Sequence, residues 1–498
     1  MGPGRPSVRR PGRGSACYDP AVHPAAAASE ARSALPTVPP ERTAALVAAI
    51  RGRLPGLRLL TDPVDRESYR RDETAFLEAG LPGAVALPTT TAEVVELVRL
   101  AGAHQVPIVP RGAGTGLSGG AAGIEGGLTI AFTQMKRILE IDPANLTVTV
   151  QPGIINADLK AAVAEHGLFY PPDPASYEQC SIGGNLGTNA GGLCCVKYGV
   201  TRDAVLGLEV VTADGTVLRL GGKNVKDVAG YALMQLFVGS QGTLGIVTEA
   251  TLRLRPAPPP KLTMLAFFPS LEAAGAAVSA MTARGLGPAT LELMDRATIA
   301  AVDDWQQLGL DREAAALLLV ESDLPGAAAE AELEAAEEAC RAAGASFTLR
   351  AADPQEADWL RQGRRLAYRA LERLGIAHME DVGVPRSRIP EMLRAIEAIS
   401  ARHGVPIPTF GHAGDGNLHP TLVFGRDDPT AAERDALVRD ELYRAAIALG
   451  GTVTGEHGIG LARKDYLEVQ RGPEVVAVMR RIKAALDPAG ILNPGKMV

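Results

Sequence analysis

The first half of the chain alternates short apolar runs with apolar residues at helical spacing. This spacing predicts a helix over residues 41–54 that ends at a Pro-Gly turn. The apolar run at residues 84–87 predicts a strand, and Thr91 is expected to cap the helix that follows it. Further strands are predicted at residues 106–109, 128–132, 146–150, 208–212, 216–220 and 245–254, with glycine-rich loops between them.

The second half of the chain begins after its clearest linker, the proline-rich run at residues 256–260. Beyond it, residues 326–343 are nearly all Ala, Glu and Leu and predict an amphipathic helix with a solvated face. Short strands are predicted at residues 262–267, 317–321 and 346–349. Such an alternation of helices and short strands is typical of an α+β domain of the ferredoxin-like type.

Length and composition narrow the class of protein. With 498 residues, 46% of them hydrophobic and 21% charged, the chain is long enough for several globular domains. A formal net charge of −7 argues against a nucleic-acid-binding protein, which usually has a basic face. No run approaches the ~18 apolar residues of a membrane-spanning helix, so an integral membrane protein is not expected.

The cysteines predict neither a disulfide framework nor a metal cluster. They are Cys17, Cys180, Cys194, Cys195 and Cys340. None has the C-x-x-C spacing of a zinc or iron–sulfur motif, and so sparse a set is typical of a reducing compartment. Electron chemistry would therefore depend on an organic cofactor or on a second protein.

Residues 1–40 are rich in Arg, Pro, Gly and Ala and lack the apolar core of a secretory signal. We expect a disordered extension or a start codon assigned too early. An organellar transit peptide is the remaining alternative.

Two glycine-rich regions carry the first candidate chemistry. Gly114, Gly116 and Gly119 form a literal G-x-G-x-x-G after a predicted strand, but the chain continues into another strand. A Rossmann fold is therefore not expected, because its fingerprint opens a helix. Glycine backbone can still direct successive N–H groups at a phosphate. Together with the glycines of residues 180–192, the pattern favours a long diphosphate ligand such as FAD; two ordinary surface loops are the alternative.

Histidines and a carboxylate carry the second candidate chemistry. An Asp-Gly turn signal would place His412 directly opposite His419 in a hairpin, with Cβ atoms about 4.5–5.5 Å apart. Such a pair could chelate a cation or could be two half-exposed surface histidines. Glu456 and His457 would point apart in an extended chain, so that one serves a metal and the other faces a substrate. Two histidines and one carboxylate leave open coordination positions, which is typical of a catalytic metal.

Five separated motifs resemble the FAD-binding domain of the vanillyl-alcohol-oxidase superfamily. They lie at residues 110–121, 171–192, 196–199, 223–231 and 236–249. The chain looks most like the branch that contains glycolate oxidase FAD subunits, D-lactate dehydrogenases and D-2-hydroxyglutarate dehydrogenases. The resemblance implies an α+β fold: a PCMH-type FAD-binding domain of two α/β subdomains, followed by a ferredoxin-like cap domain. The expected boundaries are residues 41–255 for the FAD domain, 256–454 for the cap, and 455–498 for a C-terminal segment that returns to the FAD domain.

The resemblance also implies where FAD binds. It assigns the pyrophosphate to the glycine loop of residues 110–121 and the flavin to residues that follow. It also implies that the C-terminal segment brings Asn493 to the edge of the flavin. No histidine lies between His104 and His166, so non-covalent FAD is expected. The implied cofactor residues are Arg111, Gly112, Gly114, Thr115, Gly116, Gly119, Pro172, Asp173, Ser181, Gly184, Asn185, Thr188, Asn189, Gly192, Val247 and Asn493.

For the chemistry, the resemblance implies a divalent metal, Zn or Mn, with His412, His419 and Glu456 as its ligands. It gives His457 the role of general base and Arg364 that of binding the substrate carboxylate. A neutral imidazole with an ordinary pKa of ~6.5 suits a base at working pH.

Two departures from the resemblance bear on the substrate. Met379 stands where D-2-hydroxyglutarate dehydrogenases carry a lysine for the distal carboxylate, and Thr421 replaces an asparagine after the second histidine. The second carboxylate of a substrate would therefore lack these binding partners, which favours glycolate or D-lactate over D-2-hydroxyglutarate. A metal-dependent hydrolase and a flavin subunit that is active only in a complex are the alternatives from other classes.

The expected reaction is oxidation of a D-2-hydroxy acid to the 2-oxo acid, with hydride transfer to flavin N5. The electrons would pass to a quinone, an electron-transfer flavoprotein or an iron–sulfur partner subunit. We expect a cytoplasmic protein, peripheral at the inner membrane through a partner, in a homodimer or a hetero-complex. No nucleic-acid partner is expected.

Overall fold

A four-stranded sheet with three helices is the first layer in the computed structural model, which describes residues 35–498. Its elements are α1 (Pro40–Arg53), β1 (Arg58–Leu60), α2 (Pro63–Glu67), β2 (Ala84–Leu87), α3 (Thr91–Ala103), β3 (Ile108–Arg111) and β4 (Leu128–Ala131). The strand order is β1-β2-β4-β3, and β2, β4 and β3 run parallel. Apolar residues of α3, such as Leu97 and Val98, pack on Ile108 and Leu128 to form its core.

Helix α3 begins one residue earlier than the sequence predicts. Thr90, not Thr91, is the N-cap: its hydroxyl accepts from the Glu93 amide at 3.3 Å, and the Glu93 carboxylate accepts from the Thr90 amide at 3.2 Å. This reciprocal capping box satisfies two amides that would otherwise lack partners. Thr91 instead donates its hydroxyl to the Glu209 carboxylate at 2.7 Å.

A five-stranded antiparallel sheet forms the second layer. Its elements, with the short strands and helices around it, are β5 (Ile138–Asp142), β6 (Thr147–Val150), α4 (Asn156–Ala164), β7 (Leu168–Phe169), α5 (Ile182–Thr188), α6 (Cys195–Tyr198), α7 (Thr201–Ala204), β8 (Val205–Val211), β9 (Val217–Gly221), α8 (Met234–Phe237), β10 (Ile246–Arg253) and β11 (Arg255–Pro256). The order is β5-β6-β10-β8-β9, and β7 pairs separately with β11. The glycine loop from β3 to β4 contains no helix, which confirms that the fold is not a Rossmann fold.

An eight-stranded antiparallel sheet follows. Its elements are β12 (Leu262–Phe268), α9 (Leu271–Ala283), β13 (Thr290–Asp295), α10 (Arg296–Gln306), β14 (Ala316–Ser322), α11 (Ala327–Ala342), β15 (Phe347–Arg350), α12 (Pro354–Arg365), α13 (Ala367–Glu372), β16 (Ile376–Met379), β17 (Val382–Gly383), α14 (Ile389–His403), β18 (Thr409–His412), β19 (Asn417–Phe424) and α15 (Ala431–Ala448). The order of its first four strands, β15-β12-β14-β13, is that of a ferredoxin-like unit. The expected α+β class is confirmed.

Helices cover both faces of this sheet, so its strands are apolar on both sides. Met264 and Ala266 of β12 pack towards α9, α11, α14 and α15, whereas Leu265 and Phe267 pack towards α10 and α13. This alternation follows from the two-residue repeat of a strand.

The C-terminal segment returns to the first sheet. After α16 (Gly460–Arg463), α17 (Leu467–Arg471) and α18 (Pro473–Leu486), Leu492 forms a parallel bridge with Ile108 of β3. The Ile108 amide donates to the Ile491 carbonyl at 2.7 Å, and the Asn493 amide donates to the Ile108 carbonyl at 2.8 Å. The last residues therefore cover the edge of β3 and reach the glycine loop that follows it. Among residues 35–498, no helix combines the length and apolarity that crossing a membrane requires.

Candidate active site

A cavity of about 430 Å³ lies between the glycine loop and the eight-stranded sheet. The loop after β3 and helix α5 form one part of its wall. His412, His419, Glu456 and His457 form another part. The cavity thus brings together the two regions of candidate chemistry, which lie about three hundred residues apart in the sequence.

The glycine loop leaves backbone groups of both kinds unbonded, and its unbonded amides extend further along the chain than its unbonded carbonyls, which among the described residues are those of residues 112–115. Within the described residues, the amides of residues 112–118 donate no hydrogen bond. The carbonyls of residues 116–122 all accept hydrogen bonds, that of Gly119 from the Ala122 amide within the loop and the others from outside this stretch or from Arg111. A Cβ on Gly112 would lie 2.3 Å from Ser181 Oγ, so the loop packs closely on the N-terminal cap of α5. Seven free amides beside one cavity fit the pyrophosphate of the expected FAD.

Ten of the sixteen predicted cofactor residues line this cavity. They are Arg111, Gly112, Gly114, Thr115, Gly116, Ser181, Gly184, Asn185, Thr188 and Val247. The other six lie behind its wall: Gly119, Pro172, Asp173, Asn189, Gly192 and Asn493.

Most of these six support the wall through hydrogen bonds. The Asp173 carboxylate accepts from Arg365 at 2.9 Å and from the Cys194 amide at 3.1 Å. Asn189 accepts from the Arg202 amide at 2.8 Å. Asn493 donates to the carbonyls of Gly120 at 2.9 Å and Gln241 at 2.7 Å. The Pro172 carbonyl accepts a hydrogen bond from Asn156, and the Gly119 amide donates one to Thr74. Gly192 packs so closely on Asp173 that a Cβ at this position would meet the Asp173 carbonyl.

The histidine hairpin has a different register from the predicted one. His412 pairs with Asn417, and His419 pairs with Phe410, so the prediction that the two histidines are directly opposed is wrong. The His412 carbonyl accepts from the amides of Asp415 and Gly416, which makes a four-residue turn instead of a two-residue one. The histidines are diagonal neighbours on one face of the sheet, with ring centroids 5.1 Å apart.

His412, His419 and Glu456 converge as a candidate metal site. Their donor atoms lie within 4.8 Å of one another, and Glu456 Oε1 is 3.3 Å from Nε2 of each histidine. Burial would lower the pKa of His412, but Glu292 and Glu456 raise it well above its ordinary value. Burial would raise the pKa of Glu456, but His412 and His419 lower it well below its ordinary value. The site therefore attracts a cation, and its two nitrogens and one oxygen fit a divalent transition metal.

His457 lies against this cluster. Its ring is stacked on that of His419, with centroids 5.3 Å apart and planes within 9°. The backbone around it is not extended, because Asp381 accepts from Thr454 Oγ1 at 2.6 Å and from the amides of Glu456 at 3.0 Å and His457 at 2.8 Å. The expectation that Glu456 and His457 point apart is therefore wrong: Glu456 Oε1 lies 4.0 Å from His457 Nε2, and both side chains line the cavity.

Arg364 is buried in α12 although its sequence neighbours are arginines on a charged helix. Its guanidinium lies 4.7 Å from the centre of the Phe410 ring and 2.6 Å from Glu292, and it lines the cavity. Its Nε has no hydrogen-bond partner among the described residues. Arg361 and Arg365 instead pair with Glu321 and Asp173.

Sequence reasoning missed two carboxylates that organise the site. Glu292 accepts from His412 Nδ1 at 2.8 Å and pairs with Arg364, while Asp381 binds the loop that carries His457. Glu292 interrupts the apolar run of β13, and Asp381 follows Glu380 between two short strands. A buried carboxylate needs partners. A lone acidic residue within an apolar run was a signal for Glu292, whereas no comparable local signal marks Asp381.

Two family models match the chain. One, described as "FAD binding domain", matches residues 82–221, and the other, described as "FAD linked oxidases, C-terminal domain", matches residues 257–497. A protein named glycolate oxidase subunit GlcD from Bacillus subtilis (strain 168) is 48% identical over 430 residues, which cover 86% of this chain and 91% of that protein. A D-2-hydroxyglutarate dehydrogenase from Xanthomonas citri pv. viticola is 38% identical over 461 residues, which cover 91% of this chain and 96% of that protein.

The structure of p-cresol methylhydroxylase with substrate bound resembles most of the chain. The TM-score is 0.79 at 18% identity, and the match covers 93% of this chain and 98% of that one. At this identity the likeness shows a shared fold, with the PCMH-type arrangement expected from the sequence.

Proposed function

Because this chain belongs to the FAD-linked oxidases, we propose that it oxidises a short 2-hydroxy acid, glycolate or D-lactate, to the 2-oxo acid. One observation carries the proposal: the cavity lined by seven free amides is also lined by His412, His419, Glu456 and His457. The amides suit FAD, and the side chains suit activation of a hydroxyl group. The names of the two relatives support the substrate class.

His457 is the proposed general base. Burial lowers its pKa to about 4, below the ordinary value expected from the sequence. The ring is therefore neutral near pH 7 and free to accept the proton of the substrate hydroxyl, but as a weaker base than a free imidazole. Asp381 holds its backbone and His419 stacks on its ring, so the base is oriented from two sides. Bound FAD supplies the acceptor for the hydride that leaves the hydroxyl-bearing carbon.

His412, His419 and Glu456 are the proposed ligands of Zn or Mn. Such a metal supplies a Lewis acid that lowers the cost of forming the alkoxide. The Glu292 carboxylate accepts from His412 Nδ1, which leaves Nε2 directed at Glu456 and the metal position. The ligand set is therefore oriented before metal or substrate binds.

Arg364 is the proposed partner of the substrate carboxylate. Its unpaired Nε supplies a donor, and the contact with Phe410 fixes the plane of the guanidinium. Met379 and Phe410 line the same cavity and belong to one apolar cluster. An apolar wall suits the hydrogen of glycolate or the methyl of D-lactate better than a second carboxylate.

The test is an absorbance spectrum of the purified protein, before and after anaerobic addition of glycolate or D-lactate, with L-lactate as control. We expect flavin bands that bleach with glycolate or D-lactate and persist with L-lactate, and much slower bleaching after chelator treatment. Faster bleaching with D-2-hydroxyglutarate would instead assign that substrate. A folded protein that binds no added FAD would contradict the proposal and favour a metal-dependent hydrolase.

We also propose that a separate acceptor takes up the electrons: a quinone, an electron-transfer flavoprotein or an iron–sulfur partner subunit. The Bacillus subtilis relative is named as a subunit, which supports a partner. The two candidate metal-ligand groups among the described residues contain no cysteine, which suits electron transfer outside this chain. Stopped-flow reoxidation should be faster with a quinone analogue than with dioxygen, and the opposite order would indicate an oxidase that needs no partner.

A further inference from the structure

A buried lysine of the C-terminal segment lies under the glycine loop. Lys496 is fully buried, and its Nζ donates to the carbonyls of Ala122 at 2.6 Å and Gly120 at 3.3 Å. Lys496 does not line the cavity, whereas Gly120 does. The lysine therefore holds the loop from outside the cavity, on carbonyls that follow the seven free amides.

Two further side chains complete this arrangement. Asn493 donates to the Gly120 carbonyl at 2.9 Å, and Arg111 donates to the Ala121 carbonyl at 3.2 Å. Three consecutive carbonyls are thus bound by donors of the protein. These hydrogen bonds fix the backbone at this end of the loop. The free amides that precede it therefore stay available to bind an anion.

The charge of Lys496 is unusual because both of its hydrogen bonds go to neutral carbonyls. Lys483, on α18, provides the contrast: it donates to the carbonyls of Thr243 and Leu492 at 2.7 Å each, but it is also paired with the Asp487 carboxylate. A buried cation without a bonded carboxylate is costly. An anionic ligand at the loop would remove that cost.

We propose that Lys496 is a positioning residue for the pyrophosphate of FAD. Lys496 fixes the glycine loop, and the bound diphosphate balances the charge of the lysine. The proposal rests on FAD binding by this chain and is independent of the substrate. It concerns a residue three positions after Asn493, and Lys496 itself is not among the cofactor residues implied by the resemblance.

FAD binding should then be coupled to a proton. Burial lowers the pKa of Lys496 to about 7; nearby Asp72 raises the pKa, and Arg111 and Lys464 lower it. A bound pyrophosphate favours the charged lysine and raises this pKa, so the complex takes up a proton above about pH 7. The affinity for FAD is therefore greatest below pH 7 and falls as the pH rises, by up to about tenfold per unit.

The test is a fluorescence titration of the apoprotein with FAD from pH 6 to pH 9. For the wild type we expect a dissociation constant that rises with pH. For Lys496→Met we expect binding about tenfold weaker or more at pH 6, and a flat pH profile. Lys483→Met is the matched control: it removes a lysine bonded to two carbonyls, and it should keep the wild-type slope.

A second measurement uses the wild type alone and decides the matter if Lys496→Met fails to fold. Calorimetric titration with FAD at pH 8, in buffers of different ionisation enthalpy, should report uptake of a fraction of a proton. No proton uptake, or the same pH slope in Lys496→Met as in the wild type, would overturn the proposal. Normal binding with failed substrate oxidation would leave it standing and contradict only the proposed function.

Discussion

At the scale of single residues, two carboxylates outside the cavity wall determine how the reactive side chains point. Glu292 accepts a hydrogen bond from His412 and forms an ion pair with Arg364. Asp381 accepts hydrogen bonds from the loop that carries His457. Both are at most 1% exposed. Buried polar groups of this kind orient their partners because every alternative arrangement leaves a charge unpaired.

Replacement of His457 tests the proposed base. In His457→Gln we expect flavin reduction by the substrate to slow by about 10²–10⁴-fold, because the hydroxyl proton loses its acceptor. The FAD content should not change, since the glycine loop is intact. Stopped-flow absorbance under anaerobic conditions measures the rate. His166→Gln, which alters an exposed histidine, is the control, and an unchanged rate in His457→Gln would exclude the base role.

Replacement of Glu292 tests how the proposed metal ligands are oriented. In Glu292→Gln the carboxylate that accepts from His412 Nδ1 is lost, so we expect metal affinity to fall by about 10–100-fold. Chelator competition measures the affinity, and urea unfolding shows whether the unpaired Arg364 also destabilises the fold. The exposed Glu313 provides the control Glu313→Gln. Equal metal affinity in wild type and Glu292→Gln would contradict the role.

At the scale of elements, the C-terminal segment acts as an added strand. Leu492 is fully buried against the core of the first sheet, beside Ile108. We expect Leu492→Ala to lower the free energy of unfolding by about 2–5 kcal/mol, as for other buried leucines. It should also weaken FAD binding, because Asn493 and Lys496 follow directly. Urea denaturation measures the first effect.

The control for this change lies on α18. Val475 is 44% exposed, so Val475→Ala should change stability by less than about 0.5 kcal/mol. A similar decrease in the free energy of unfolding in Leu492→Ala and Val475→Ala would mean that the C-terminal segment does not stabilise the first sheet.

Local sequence patterns predict elements well and their pairing poorly. The strand predicted at residues 128–132 is observed as Leu128–Ala131, and the one at residues 262–267 as Leu262–Phe268. Register depends on turn geometry, which is why the hairpin with His412 was predicted two residues out. The partners Glu292 and His412 are 120 residues apart, and no local periodicity encodes such a contact. The resemblance predicted the candidate site residues, many of which line one cavity, whereas the partners of the buried carboxylates behind them became visible only in the three-dimensional fold.

At the scale of the whole molecule, Arg463 joins three parts of the fold. It is fully buried, pairs with Glu380 at 2.7 Å, and donates to the carbonyls of Leu117 in the glycine loop and Gly458 beside His457, at 3.3 Å each. Glu380 also accepts from Tyr443 of α15. One side chain thus couples the loop proposed to bind FAD, the loop of the proposed base and the eight-stranded sheet.

Arg463→Met should therefore destabilise the protein and weaken FAD binding together. Removal of one partner of a buried ion pair typically costs about 3–5 kcal/mol, because the other charge stays buried and unpaired. Differential scanning fluorimetry measures the loss of stability as a lower melting temperature, and the same measurement with added FAD shows whether FAD binding is weakened. Arg480→Met is the control, since Arg480 is 60% exposed and its surface pair with Glu468 should contribute little.

The same variant has a distinct pH signature. Burial would raise the pKa of Glu380, but Arg463, with His378 and Arg439, lowers it to about 2 from an ordinary value of 4.5. A lowered carboxylate pKa stabilises the fold above about pH 4.5, and this stabilisation is lost as the pH falls towards 2. The difference in melting temperature between wild type and Arg463→Met should therefore be largest near neutral pH and shrink below pH 4.5. A difference that stays constant from pH 7 to pH 3 would mean that Arg463 acts through its packing and its carbonyl hydrogen bonds, and not through its charge on Glu380.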